Sequence, residues 1–196
     1  LIENREMRVI DLSHRDIEVL PEIIFEFPSV SVLNLHHNRL NDLPCSLDRL
    51  KHLRYLDLSH NQFDHFPAAA LFLKGEAYLR LGHNRLVSFP DEIVQMTQLN
   101  RLIISYNYLC TLPVTLSKLK VLYALYLYAG AFTDWPEVLG DLYLHQLAWR
   151  RNSLIEEITR EETIPLECNH EEVEEALKSV RYRLEKMIDD EEKAPF

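Results

Sequence analysis

The sequence predicts an α/β solenoid, with a parallel sheet on its inner side, 3₁₀ or short helical turns on its outer side, and an α-helix closing its C-terminal end. Three observations carry this prediction. Pro21, Pro44, Pro67, Pro90, Pro113 and Pro136 stand 23 residues apart, and a fixed period of that length marks a stack of repeated units. An apolar pattern keeps the same register. The chain then changes character after Ile158, where acidic residues and a helical stripe replace the repeat.

One unit reads Leu53, Leu56, Leu58, Asn61, Phe63, Phe66 and Pro67, and another reads Leu99, Leu102, Ile104, Asn107, Leu109, Leu112 and Pro113. The common form is LxxLxLxxNxLxxLP, with apolar residues following at three-residue spacing, as in Leu116, Leu119 and Leu122. The LxL step is a short strand whose alternate side chains point inward. Three-residue spacing suits a tight 3₁₀ or single α turn. Proline removes an N–H and fixes φ where the chain leaves the strand. One unit cannot bury its apolar face alone, so neighbours stack and stability runs between them. Six full units precede a seventh at Leu144, Leu147, Trp149, Asn152 and Leu154, shortened by one residue. The solenoid therefore spans residues 1–158.

Asn38, Asn61, Asn84, Asn107 and Asn152 fall one per unit at the strand end. An inward amide there satisfies backbone groups of its own and the neighbouring turn, each bond contributing roughly 1 kcal/mol. Arg15 holds this place in the first unit, read as an end that no neighbour covers, and Gly130 holds it in the sixth, where a break is expected. Glu76 replaces the first apolar residue of the fourth unit, beside Gly75. Either it points to solvent or the turn before it is irregular.

On these motifs, residues 7–158 resemble the intracellular leucine-rich repeat superfamily, most closely the LP-containing 23-residue class of Ras-pathway and Scribble-like scaffold proteins. Some translocated bacterial effectors are similar. The resemblance implies a leucine-rich repeat horseshoe whose concave face binds another protein. Fold alone does not fix function, so two functions stand: a non-enzymatic interaction module, or the recognition part of an enzyme system such as a bacterial effector or ubiquitin-ligase adaptor.

The variable positions of LxxLxLxxN are expected to line the concave face. The third-position column runs Val9, Val32, Tyr55, Tyr78, Arg101, Ala124, Gln146, and the fifth runs Asp11, Asn34, Asp57, Arg80, Ile103, Tyr126, Ala148. The eighth begins His14, His37, His60, His83, Tyr106, with His36 one place before His37. Tyrosine, tryptophan and arginine are enriched at binding hot spots. The candidate partner-binding set is therefore Tyr55, Tyr78, Arg80, Arg101, Tyr106, Tyr123, Tyr126, Tyr128, Trp149 and Arg150. Arginines in the later units favour a partner with an acidic patch, although the acidic tail competes for Arg150 and Arg151. The histidine column follows a spelling common in such repeats. A metal there needs a carboxylate partner close by, and clustered histidines also suit a pH-sensitive surface. No metal or other cofactor is expected.

No glycine-rich phosphate loop, HExxH or CxxC is present, and the Ser-His neighbours lack the third group that orients a catalytic base. An enzyme is not expected. Net charge is −10, and residues 156–196 hold 14 acidic against 6 basic side chains. An acidic chain without a basic stripe argues against nucleic acid and anionic membranes. No apolar run approaches a membrane span and no signal-peptide pattern is visible. Cys45, Cys110 and Cys168 are isolated, which suits free thiols in a reducing compartment. A cytoplasmic location is expected, or the host cytosol for an effector.

Residues 159–196 read as a connector and an acidic capping helix. Asn169 is the expected N-cap, with Glu172 completing a capping box. Val173, Leu177, Val180, Leu184 and Met187 form one apolar stripe. That helix is expected to cover the open end of the solenoid in a monomer. The alternative is a short coiled coil that makes a dimer.

Overall fold

The computed structural model describes residues 7–127, 130–132, 136–142, 144 and 146–148. Seven strands, β1 (Val9–Asp11), β2 (Val32–Asn34), β3 (Tyr55–Asp57), β4 (Ala77–Arg80), β5 (Leu99–Ile103), β6 (Ala124–Tyr126) and β7 (Gln146–Ala148), alternate with six 3₁₀ turns. They form one parallel sheet in chain order. The register follows the period: Val32 pairs with Tyr55, Leu33 with Leu56 and Asn34 with Asp57. The leucines of each LxL step drive this arrangement. Leu33, Leu56, Leu79, Leu102 and Leu125 are fully buried, and each such side chain contributes about 1.5–3 kcal/mol on leaving water.

The outer turns are all 3₁₀, at Glu22–Glu26, Cys45–Arg49, Ala68–Phe72, Asp91–Gln95, Val114–Lys118 and Glu137–Asp141. Each repeat proline stands just before its turn at φ between −65° and −76°. Its carbonyl accepts the N–H three residues on, as from Ile24 at 3.1 Å and Leu116 at 3.0 Å. Each turn buries one or two apolar side chains to close the core: Leu47, Ile93 and Leu116 singly, and Ile24 with Phe25, Ala69 with Ala70 and Val138 with Leu139.

The asparagine ladder works backwards along the chain. Asn61 Nδ2 donates to Leu35 O of the preceding unit at 2.9 Å and to Leu58 O of its own at 3.1 Å, while its Oδ1 accepts Leu40 N–H at 2.9 Å. Asn38, Asn84 and Asn107 repeat the pattern. Each amide serves the unit before it, so Asn38 supplies the turn that carries Arg15, its Oδ1 accepting the Arg15 N–H at 3.1 Å and the Ile17 N–H at 3.0 Å. At Gly130 the ladder loses its amide, yet the strand-end bonds continue: Ala131 N–H donates to Leu109 O at 2.9 Å, as Arg85 N–H does to Phe63 O and Tyr108 N–H to Leu86 O.

The fourth unit departs in both ways the sequence allows. Glu76 is exposed, and Ala77 takes the buried place opposite Leu99. The register shifts between Ala77 and Tyr78. Gly75 makes room at φ +78°, a left-handed conformation that glycine adopts freely. The expected C-terminal helix and the end of the seventh unit lie outside the described residues. Among the described residues no helix is long and apolar enough to cross a membrane.

Candidate protein-binding face

The sheet register places the variable columns as the repeat implies. Tyr55, Tyr78, Arg101 and Ala124 stand side by side on β3 to β6, and Asp57, Arg80, Ile103 and Tyr126 form the next row. Tyr78, Tyr106 and Tyr123 are exposed, whereas Tyr55, Arg101 and Tyr126 are half-buried. Tyr128, Trp149 and Arg150 lie outside the described residues.

Arg101 is held by aromatic rings on both sides. Its guanidinium carbon lies 5.3 Å from the Tyr78 ring centre and 5.8 Å from that of Tyr123. Tyr55 meets Tyr78 edge to face at 6.5 Å. Three side chains on β3 to β5 and Tyr123, just before β6, thus make one continuous patch. Each cation–π contact contributes about 0.5–1 kcal/mol where exposed, and together they restrict the rings before any partner arrives.

Arg80 has a different setting from the one its column suggests. Its Nη1 pairs with Asp57 Oδ2 at 3.2 Å and donates to Tyr55 Oη at 3.1 Å. Asp57 is buried, and its other oxygen accepts Ser59 N–H at 3.0 Å and the Ser59 hydroxyl. The guanidinium is therefore committed to an internal ion pair. Burial opposes its charge, but the hydrogen bond it donates to Tyr55 and the Asp57 carboxylate together raise its basicity. Asp57 does not stand among the tyrosines, tryptophan and arginines of the candidate set, although it is Arg80's neighbour in the fifth column. Its position 23 residues before Arg80 is the signal that points to it.

The eighth column is a ring stack. His14 on His37, His37 on His60, His60 on His83 and His83 on Tyr106 lie at 4.3, 3.9, 4.0 and 4.1 Å, with planes within 21° of parallel. All five residues have φ between 53° and 58°. Histidine tolerates this left-handed region better than most residues. The conformation lets each N–H continue the strand ladder, as His60 N–H does to Gly82 O at 2.9 Å. Burial, then the charges of His83, His37 and His36, push the His60 imidazole down to about 4. His37 and His83 are lowered as well, chiefly by burial.

Residues 5–63 match the leucine rich repeat family. Over that span, which reaches through β3, the chain is similar to leucine-rich repeat proteins, and the parallel sheet with 3₁₀ turns carries the same architecture to residue 148. The parallel sheet and its 3₁₀ turns fit a leucine-rich repeat solenoid, and leucine-rich repeats generally mediate protein–protein interaction. No curated protein matches the chain.

Proposed function

We propose that this chain is a non-enzymatic interaction module that holds a protein partner on its concave face, across β3 to β6. The observation that carries the reading is the patch Tyr55–Tyr78–Arg101–Tyr123, in which a guanidinium lies between two exposed tyrosine rings. Aromatic rings and arginine held in fixed positions dominate interface energies and lose little entropy on binding. Arg101 Nε is shielded from solvent and has no hydrogen-bond partner among the described residues. The positive charge of the half-buried Arg101 guanidinium, held on the variable face, favours a partner that presents an acidic patch. The exposed thiols of Cys45 and Cys110 support a reducing, intracellular setting.

The test is affinity capture from lysate, run in parallel with the native chain and with Tyr78→Ala/Arg101→Ala. Both side chains stand on the variable face, so the circular-dichroism spectrum should be retained. Proteins captured by the native chain should be lost by the double variant, with affinity for an identified partner falling more than about 30-fold, as hot-spot truncations of 2 kcal/mol or more imply. Capture of the same proteins with unchanged affinity would place the site elsewhere.

A further inference from the structure

The seventh column of the repeat reads Ser13, His36, Ser59, Gly82 and Ser105, so among these units only the second sets a histidine beside that of the eighth column. The parallel register then lays His36 and His37 against His14 of the first unit, whose N–H donates to His36 O at 3.1 Å. His14 and His36 meet edge to face with ring centres 4.6 Å apart, and His36 and His37 do so at 4.9 Å. One nitrogen from each of the three rings lies within 4.8 Å of the other two. His36 Nδ1 and His37 Nδ1 are 2.7 Å apart, a separation that requires one proton between two lone pairs.

Lower in the column the geometry differs. His37, His60 and His83 stack face to face, so their lone pairs lie in nearly parallel planes. The right-angled His36 ring is what turns the first two members of the stack into a converging group. We propose that His14, His36 and His37 bind a divalent transition ion of the zinc class, with three imidazole nitrogens as ligands and a fourth position open to water or to a partner's side chain.

The required adjustment is small. Nitrogens sharing a tetrahedral zinc at about 2.0–2.1 Å stand roughly 3.3 Å apart. His14 and His37 are exposed and His36 is half-buried, so side-chain rotation can close that difference. The backbone stays fixed through the strand-end bonds. The ion would take the place of the proton between His36 and His37, and the ring that carried it would bind as the other neutral tautomer, with its proton on Nε2. Negative charge is at hand in Asp11, which accepts the Ser13 N–H at 2.9 Å and its hydroxyl at 2.7 Å and lies near enough to His36 for their charges to interact. The ion would also tie the turn after β1 to the turn after β2, at the less buried end of the sheet.

The experiment is calorimetric titration of Zn²⁺ into the full chain at neutral pH, with Co²⁺ absorption reporting coordination geometry. The expected result is one ion bound at this site and a tetrahedral Co²⁺ spectrum. His36→Ser installs the residue that the first, third and fifth units carry, so it should keep the metal-free melting temperature. It should weaken binding by more than about 10-fold, since loss even of a supporting contact does so. His65→Gln should leave binding unchanged. Absence of Zn²⁺ binding would overturn the proposal. So would equal affinity in His36→Ser, and its loss in His65→Gln would move the ion to His65, Asp64 and Asp42, which lie 2.6 and 4.0 Å from the His65 ring.

Discussion

Single side chains carry the repeat, and the buried asparagines show how. Asn84 donates to Leu58 O at 2.9 Å and to Leu81 O at 3.0 Å, and accepts Phe63 N–H at 3.1 Å. Truncating it leaves the buried Phe63 N–H unpaired, which costs about 1–3 kcal/mol, and removes one of two amide donors from the Leu58 and Leu81 carbonyls, which keep Asn61 and Asn107. Asn84→Ala should therefore lower stability by roughly 2–4 kcal/mol in urea denaturation, on the scale of large single-residue losses. Asn100, whose exposed amide reaches only Val121 O at 3.5 Å, is the control. Asn100→Ala should stay within about 0.5 kcal/mol of the native chain. The one-per-unit spacing made the asparagines legible as structural. Their backward reach was not legible, because sequence does not say which neighbouring turn an amide faces. Asp57 and Arg80 were separately visible, but not as a pair. Asp11 occupies the same column as Asp57 and is exposed beside Asn34, so burial and the identity of the next strand decide which aspartate becomes an ion-pair anchor.

At the scale of the element, the ring column turns one backbone conformation into a titration property. The sequence aligned His14, His37, His60, His83 and Tyr106. It did not reveal that left-handed φ values would stack them in parallel, so the column read chiefly as a common spelling of the repeat, with no metal expected. His60 sits between His37 and His83, with His36 adding a repulsive charge and Asp57 an opposing attractive one. Its folded imidazole titrates at about 4 against 6.5 for a free one. Above 6.5 both folded and unfolded chains hold it neutral, and its contribution to stability is complete. As pH falls below 6.5 the unfolded chain takes the proton first, so stability declines toward pH 4. The urea midpoint, measured with a chelator present, should fall between neutral pH and pH 5. His60→Tyr, which copies the stacked Tyr106, should flatten that fall while preserving the midpoint at neutral pH. An equally steep fall in the variant would trace the acid sensitivity to groups outside the stack.

Across the whole molecule, energy passes between neighbours and seldom further. Each strand pairs only with the units before and after it, and each asparagine reaches one unit back. Burial grades along the same axis: Ile10 on β1 retains 8% exposure, while Leu33, Leu56, Leu79 and Leu102 retain none. The unit of β1 thus has less apolar surface to lose and should open before those of β2 to β5, as in a one-dimensional array of coupled units. Leu79→Ala removes a fully enclosed side chain between β3 and β5, where no adjacent strand can collapse into the space without breaking its own register. It should cost about 2–5 kcal/mol, and Ile10→Ala distinctly less. The distribution of the damage tests the argument more sharply than its size. In native-state hydrogen exchange, Leu79→Ala should accelerate the strand-bonded amides of Leu58 and Leu81, which donate to Arg80 and Ile103 carbonyls, far more than that of Leu12, which donates to Asn34. Uniform acceleration through all three would mean that the solenoid unfolds as a single cooperative block, and that its pairwise construction does not govern how it opens.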